Sequence, residues 1–306
     1  MPVTISLINM KGGVGKTSLA IALAEFMAIE HGLQVLVIDL DPQANATACL
    51  MDLEEWKRKN MRGQTIMRLF MDSFQEWQVF SPLEAVVKNA SNIGGGVPGL
   101  DLMPSGQELM DLQDSLMTIS PDEAGRTDLI FLLRDALGDM LQNYDIVLMD
   151  CPPSLGLITQ NGLAVSDYYL IPVIPEALSI HGIPQIISRV NRFKRQTGVG
   201  IQTLGLVATR YREQNREHLH NLNDLRAGNQ KKGYQRVFEA VINESSQAAN
   251  AMDFRKQPRS LREKYGNKRP YNEYQQLTTE VLHYVGKPVC AVDGGFPASA
   301  GPGSRE

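Results

Sequence analysis

Short apolar runs alternate along the chain with segments in which apolar residues recur at helical spacing. Five of the runs predict buried strands, at residues 3–8, 34–38, 144–149, 168–173 and 203–208. Helical spacing is clearest at 17–30, where Leu19, Leu23 and Phe26 share one face, and at about 179–195, where Pro184 is expected in or near the first turn. Strands that alternate with helices predict an α/β fold with a mostly parallel, twisted sheet and helices on both faces.

Two parts of the chain depart from this alternation. Between residues 51 and 100 the pattern loosens around Trp56, Trp77 and three consecutive glycines, which predicts peripheral helices and loops over the edge of the sheet. Residues 286–306 hold five glycines and three prolines without a helical period, which predicts a flexible tail. We therefore expect a single domain over residues 1–285.

Composition argues against several classes of protein. The 306 residues are 43% hydrophobic, enough for a well-buried core, yet no apolar run approaches the roughly 20 residues that span a bilayer. The first residues lack a charged region ahead of an apolar one, so a cytoplasmic protein without a cleaved signal is expected. Cys49, Cys151 and Cys290 form no C-x-x-C pair, which argues against a zinc cluster or a disulfide framework.

A glycine-rich loop between the first strand and the first helix reads NMKGGVGKTS over residues 9–18. Backbone N–H groups at such a turn, together with a helix N-terminus, form a cradle for phosphate groups. Glycines let the backbone approach the ligand, Lys16 is placed to neutralise β- and γ-phosphate oxygens, and the hydroxyl of Thr17 is placed to ligate Mg²⁺. The predicted nucleotide-binding residues are Lys11, Gly12, Gly13, Val14, Gly15, Lys16, Thr17 and Ser18.

The loop departs in one respect from the common phosphate-binding pattern G-x-x-x-x-G-K-[ST]. Met10 stands where that pattern has its first glycine, and Lys11 adds a lysine that a single phosphate cradle does not need. The spelling K-G-G-V-G-K-T resembles the deviant Walker A motif of the ParA/MinD ATPases, a class of P-loop NTPases. The resemblance implies that Lys11 acts in catalysis beside Lys16, by reaching across an ATP-bound homodimer to the partner's phosphates.

Three aspartates are predicted at the edge of the sheet that carries the loop. Asp39 and Asp41 follow one strand and Asp150 follows another, and the carboxyl ends of parallel strands face the ligand crevice of a doubly wound sheet. By the same resemblance, Asp150 matches the Walker B aspartate that holds Mg²⁺. The segment VIDLDPQANAT resembles switch I, so Asp41 is expected to orient the attacking water and Asp39 to support the metal shell. Ala44 stands where many family members have glycine, which should alter the freedom of this loop.

The resemblance is closest to ParA-type partition ATPases and runs from the first strand through DCPPSLGLITQNGLAVSD and IPVIPEALSIHGIPQ. It implies an ATP- and Mg²⁺-dependent ATPase that dimerises on ATP, binds non-specific double-stranded DNA and positions a plasmid, chromosome or large cargo. A ParB-like or cargo-adaptor protein would stimulate hydrolysis. Two alternatives stay open: a regulatory ATPase that acts through protein contacts, and a nitrogenase-reductase-like protein that holds an iron–sulfur cluster between subunits.

The net charge is −4, but the charges are unevenly distributed. Residues 187–269 hold 18 Lys and Arg against seven Asp and Glu, whereas the rest of the chain is acidic. This surplus indicates sequence-independent contacts to DNA phosphates and association with the nucleoid, with solvated surface charge as the ordinary alternative. The candidate DNA contacts are Arg189, Arg192, Arg195, Arg212 and Arg216. The C-terminal residues lack the basic amphipathic helix of membrane-bound relatives, so no membrane partner is expected.

Overall fold

The computed structural model describes residues 1–73, 79–106, 129–228 and 234–289. Within these ranges seven strands form one sheet, and each strand pairs in parallel with its neighbours. The strands are β1 (Val3–Leu7), β2 (Val35–Asp39), β3 (Leu100–Met103), β4 (Ile146–Asp150), β5 (Tyr168–Val173), β6 (Gln202–Tyr211) and β7 (Val237–Asn243). Their order is β3-β2-β4-β1-β5-β6-β7, which places β1 at the centre and confirms the predicted α/β class.

Helices cover both faces of this sheet. The described helices are α1 (Lys16–His31), α2 (Asn45–Leu50), α3 (Leu53–Met61), α4 (Ile66–Asp72), α5 (Pro82–Ala85), α6 (Leu132–Leu141), α7 (Leu157–Val165), α8 (Ala177–Thr197), α9 (Arg216–Gly228), α10 (Ser246–Asn250), α11 (Leu261–Tyr265) and α12 (Arg269–Tyr284). The core on one face includes α1, α2, α11 and α12, and the core on the other includes α4 and α6 to α9. None of the described helices is long and apolar enough to cross a membrane.

Successive residues of each central strand point to opposite faces, which divides the core into two layers. In β2, Val35 and Val37 pack with α1, whereas Leu36 and Ile38 pack on the other face. Because both faces are covered, these strands are buried throughout and read in the sequence as continuous apolar runs. This burial explains why the central strands could be predicted from the sequence.

One predicted helix differs from its predicted form, and both edge strands were missed. The helix predicted at about 179–195 spans Ala177–Thr197, so Pro184 lies in its interior, and the prediction that Pro184 sits in or near the first turn was wrong. A proline there costs the helix one backbone hydrogen bond. The strands β3 and β7 lie at the edges of the sheet. The single-domain boundary at residue 285 stays a prediction, and Trp77, Cys290 and most of the predicted tail fall outside the described residues.

α1 is anchored at its C-terminal end by aromatic packing. Gly32 follows the helix in the left-handed conformation with φ 65°, and its N–H donates to the carbonyl of Met27. One turn earlier, Phe26 packs against Tyr265, Tyr271 and Tyr274 with ring centroids 5.2–6.3 Å apart. These contacts join α1 to the last helices of the described chain.

A buried ion pair strengthens the same junction. The ammonium group of Lys264 donates to Glu25 at 2.6 Å and to Asn92 at 2.8 Å, and both charged side chains are almost fully buried. The Glu25 carboxylate also accepts hydrogen bonds from Ser91 at 2.6 Å and Tyr265 at 2.7 Å. A buried pair is tolerated only when its remaining donors and acceptors are satisfied in this way.

Replacement of Lys264 by methionine should lower the free energy of unfolding by about 3–5 kcal/mol, because Glu25 would stay buried without its counter-ion. Denaturant unfolding followed by circular dichroism measures this change. The matched control is the double variant Glu25→Gln/Lys264→Met, which removes both charges and should recover much of the loss. Equal stability of the two variants would contradict the assignment.

Candidate functional site

A cleft of about 600 Å³ opens at the carboxyl edge of the sheet, next to the end of β1. One wall consists of the glycine-rich loop and the first turn of α1. The other walls come from residues that end or follow β2, β6 and β7, among them Asp41, Gln43, Asn45, Thr209, Arg210, Asn243, Glu244 and Ser245. The crevice therefore lies where the sequence predicted a ligand site.

Two glycines of the loop hold a backbone conformation that other residues adopt only with strain. Gly13 and Gly15 have φ values of 72° and 86°, in the left-handed region. The hydroxyl of Thr209 donates to the carbonyl of Val14 at 2.8 Å and so ties the loop to the end of β6. Because α1 begins at Lys16, its first backbone N–H groups have no partner within the helix and are available to an anion.

The side chain of Lys16 folds back over its own loop. It is 6% exposed, and its ammonium group lies 3.4 Å from the carbonyl oxygen of Asn9. The Asn9 side chain donates to the carbonyl of Pro172 at 2.7 Å, which braces the loop against β5. Lys16 therefore sits within the cradle that its own loop forms.

The side chain of Lys11 points away from the loop and contacts the start of α8 in the same chain. Its ammonium group donates to Glu176 at 3.1 Å and to the hydroxyl of Ser179 at 3.1 Å, at the start of α8. The side chain is 40% exposed. Sequence reasoning missed Glu176 and Ser179, since 165 and 168 residues separate them from Lys11.

Thr17 and Asp150 meet behind the loop. The Thr17 hydroxyl donates to Oδ2 of Asp150 at 2.6 Å, whereas Oδ1 of Asp150 is buried and has no hydrogen-bond partner among the described residues. Burial raises the pKa of Asp150 well above its usual range, and the neighbouring carboxylate of Asp39 adds to the shift. A hydroxyl beside a carboxylate with an unsatisfied oxygen suits Mg²⁺, which binds one or two protein ligands together with phosphate oxygens and water.

Asp39 lies beside Asp150 in the sheet, but its oxygens are engaged elsewhere. The two residues are register partners on β2 and β4. One Asp39 oxygen accepts from the backbone N–H of Asp41 at 3.1 Å, and the other accepts from the N–H and hydroxyl of Thr47, both at 2.7 Å. Burial raises the pKa of Asp39 to about 7. In this structure Asp39 anchors the start of α2, and its role in the metal shell stays a prediction.

Asp41 lines the cleft at the loop that joins β2 to α2. One of its carboxylate oxygens accepts from the backbone N–H of Gln43 at 2.9 Å, and its carbonyl accepts from the hydroxyl of Ser105 at 2.9 Å. Ala44 precedes α2 with φ 51°, a left-handed conformation that is strained for alanine. The Asp41 carboxylate is thus held at the edge of the cleft by a constrained backbone.

Arg210 and Arg212 lie at the end of β6 and both pair with Glu244, a residue of the cleft wall. Arg210 donates to the carbonyl of Gly13 at 3.0 Å and to Glu244 at 2.7 Å, and Arg212 also donates to Glu244. The hydrogen bonds from Arg212 and Arg210 lower the pKa of Glu244 to about 2. Arg210 has φ 49°, so this contact is made from a strained backbone. From the sequence, Arg212 was predicted as a DNA contact.

The five candidate DNA contacts fall into two groups. Arg189, Arg192 and Arg195 are exposed on the second half of α8 and have no ion-pair partner among the described residues. At about 1.5 Å per residue, Arg192 lies roughly 22 Å along α8 from its first residue, Ala177. Arg212 and Arg216 instead follow β6 at the carboxyl edge of the sheet, where Arg212 is paired with Glu244. The structure does not bring the two groups together.

Cys49 and Cys151 are free thiols and are both buried. Cys151 is 0% exposed and Cys49 is 8% exposed at the wall of the cleft. Burial raises the pKa of each thiol to about 12, which keeps both protonated at neutral pH.

Comparison with known proteins agrees with this geometry. A family model described as an AAA domain matches residues 3–203. The chain is 35% identical to the cell division protein PomZ of Myxococcus xanthus over 183 residues, which cover 60% of this chain and 50% of PomZ, so it spans half the length of that relative. It is 30% identical over 254 residues to the chromosome partitioning protein ParA of Caulobacter vibrioides, which covers 82% of this chain and 84% of that protein.

Solved structures show the same fold. A plasmid partition protein from Borrelia burgdorferi bound to AMPPNP superposes with a TM-score of 0.68 at 24% identity, over 92% of this chain and 99% of that one. Together with the family match, the relatives and the deviant phosphate-binding loop, this shows that the chain belongs to the ParA/MinD family of P-loop ATPases.

Proposed function

We propose that this chain is an ATP- and Mg²⁺-dependent ATPase that dimerises on ATP, binds non-specific double-stranded DNA and partitions or positions a plasmid, chromosome or other large cargo. The supporting observation is the separation of the two lysines of the loop. Lys16 covers its own phosphate cradle, whereas the half-buried side chain of Lys11 places its ammonium group outside the cradle, at the start of α8. The names of PomZ and ParA, a cell division protein and a chromosome partitioning protein, support the same biological role.

Each residue of the site has a chemical task in this proposal. Backbone N–H groups of residues 12–17 and the ammonium group of Lys16 hold the triphosphate. Thr17 and Asp150 hold Mg²⁺, which when bound offsets the charge of the phosphates. Asp41 orients the attacking water, and its carboxylate is fixed by the N–H of Gln43. Lys11 completes the pocket of the partner subunit, so hydrolysis depends on dimerisation.

DNA binding is proposed for the exposed arginines of α8, with Arg212 and Arg216 as a second contact near the cleft. Their guanidinium groups would neutralise phosphates without reading bases, which would associate the protein with the nucleoid. A ParB-like or cargo-adaptor protein would then stimulate hydrolysis and release the chain from DNA.

Two other functions predict different observations. A regulatory ATPase acting through protein contacts would bind and hydrolyse ATP without retaining unrelated DNA, even at low salt. A nitrogenase-reductase-like protein would carry iron after anaerobic purification, although the burial of Cys49 and Cys151 disfavours a cluster shared between subunits.

Replacement of Lys11 by alanine should leave ATP binding within a few-fold of wild type, abolish the ATP-dependent dimer and reduce turnover by about 10³-fold or more, as loss of an arginine finger does. Lys16→Ala is the matched control in the same loop and should lose nucleotide binding itself. A fluorescent ATP analogue measures binding, and light scattering measures the dimer. Normal turnover by the Lys11 variant would contradict the proposal.

Replacement of Asp41 by alanine should slow hydrolysis by about 10²–10⁴-fold, the range for loss of a group that handles the proton of the attacking water, and so accumulate the ATP-bound dimer. Single-turnover assays and size-exclusion chromatography measure both effects. Asp139→Ala, an exposed aspartate on α6, controls for loss of a carboxylate and should hydrolyse normally. Wild-type turnover by the Asp41 variant would remove this residue from the mechanism.

The double variant Arg189→Ala/Arg192→Ala should weaken binding to an unrelated duplex and reduce the slope of log K against log salt by about 2, since two phosphate contacts are lost. The matched control is Arg58→Ala/Arg62→Ala, which removes one exposed charge within α3 and one directly after it. Titrations in the Asp41→Ala background with ATP measure both. An unchanged slope for the α8 variant would assign the DNA contact to another surface.

A further inference from the structure

Glu176 is approached from two sides at the corner where β5 passes into α8. One carboxylate oxygen accepts from Lys11 at 3.1 Å, and the other lies 3.8 Å from Nε2 of His218. His218 lies in the first turn of α9 and is 1% exposed. The carboxylate that holds Lys11 therefore also faces a buried imidazole.

The tautomer of His218 follows from its other contact. Nδ1 accepts the backbone N–H of Arg212 at 3.1 Å, so in the neutral ring the proton is on Nε2. Nε2 is buried and has no hydrogen-bond partner among the described residues. A brace for the Arg212 backbone needs only Nδ1, so the Nε2–H directed at Glu176 is unexplained by a purely structural role. A buried donor without an acceptor is unfavourable, and a shift of about 1 Å would bring it within hydrogen-bond distance of the carboxylate.

The loop between β6 and α9 is connected to the glycine-rich loop at two points. Arg210, at the end of β6, donates to the carbonyl of Gly13. His218 leads through Glu176 to Lys11. The start of α9 is also packed on this corner, because the N–H of Ala177 donates to Glu217 at 3.2 Å. A change at Lys11 can thus reach the segment that carries Arg212 and Arg216 through Glu176 and the start of α9.

We propose that His218 is a positioning residue that makes DNA affinity depend on the location of Lys11. While Lys11 holds Glu176, the Nε2–H of His218 has no acceptor. When Lys11 moves to the phosphates of a partner subunit, the released carboxylate accepts from His218, and the first turn of α9 shifts together with Arg212 and Arg216. This inference rests on the proposed function and adds the route by which dimerisation changes the DNA-binding surface.

Two substitutions distinguish the role of Nδ1 of His218 from that of Nε2. His218→Asn keeps an acceptor near Nδ1 for the Arg212 N–H but has no donor at Nε2, whereas His218→Gln places an N–H near Nε2. Affinity for an unrelated duplex is measured with ATP and with ADP, and dimerisation is followed in the same samples. We expect wild type to bind about tenfold or more tightly with ATP than with ADP. The His218→Asn variant should dimerise on ATP, but its ratio of DNA affinity with ATP to that with ADP should be at least fivefold lower than in wild type. The His218→Gln variant should restore most of this ratio.

The outcomes distinguish the inference from the function it rests on. If the DNA affinity of the wild-type chain is the same with ATP and with ADP, both the proposed function and the role of His218 are overturned. A responsive wild type with an equally responsive His218→Asn variant would overturn the role of His218 alone, as would failure of the glutamine variant to restore the ratio.

NMR of the native His218 side chain tests the proposal even if the variants do not fold. The chain has five histidines, and selective ¹⁵N labelling resolves their ring protons by NMR. The Nε2–H of His218 should move downfield and exchange more slowly with water in an ATP-bound dimer trapped by Asp41→Ala. An unchanged Nε2–H signal in that dimer would overturn the proposal.

Discussion

Burial of α1 is the constraint on which the rest of the site depends. The helix starts directly from the glycine-rich loop and is covered by the sheet on one side and by the last helices on the other. Phe26 and the buried Glu25–Lys264 pair fix its far end. At the near end, Thr209 ties the loop to β6. The phosphate cradle is therefore preorganised by packing before any ligand binds.

The same burial explains the unusual electrostatics behind the loop. Asp39 and Asp150 are both 0% exposed on adjacent strands. Burial raises the pKa of each carboxyl group, and the carboxylate of Asp39 raises the pKa of Asp150 further. Hydrogen bonds from Thr47 and Thr17 offset part of this cost. Oδ1 of Asp150 has no hydrogen-bond partner among the described residues, so its lost hydration is not offset within the chain.

The sequence predictions were correct where a feature depends on residues that are close together in the sequence. The central strands and α1 were found because their apolar residues are buried on both faces and so leave a strong pattern. β3 is only four residues long and contains Asp101, whose charge is paired with Lys88 through a contact that no local pattern reveals. β7 lies at the other edge, where Glu273 and Glu280 of α12 accept N–H groups from its backbone. Within the strands themselves, Asp101 of β3 and Glu239 of β7 interrupt the apolar run that strand prediction needs.

By itself, the sequence determined the phosphate cradle and the class of chemistry, because the glycines, Lys16 and Thr17 act within one short turn whose conformation depends on local backbone preferences. The tertiary structure decided which groups Lys11 contacts, that Asp39 holds α2, and that the basic residues of α8 and of the β6–α9 loop form two separate groups. The contacts of Lys11 depend on the order of strands in the sheet, which brings together residues 165 and 168 positions apart. Hydrophobic spacing specifies helices and strands but not which of them become neighbours, so no local pattern could have supplied these contacts. Thr47 is only eight positions from Asp39, but its contact depends on the turn between β2 and α2, which hydrophobic spacing does not specify either.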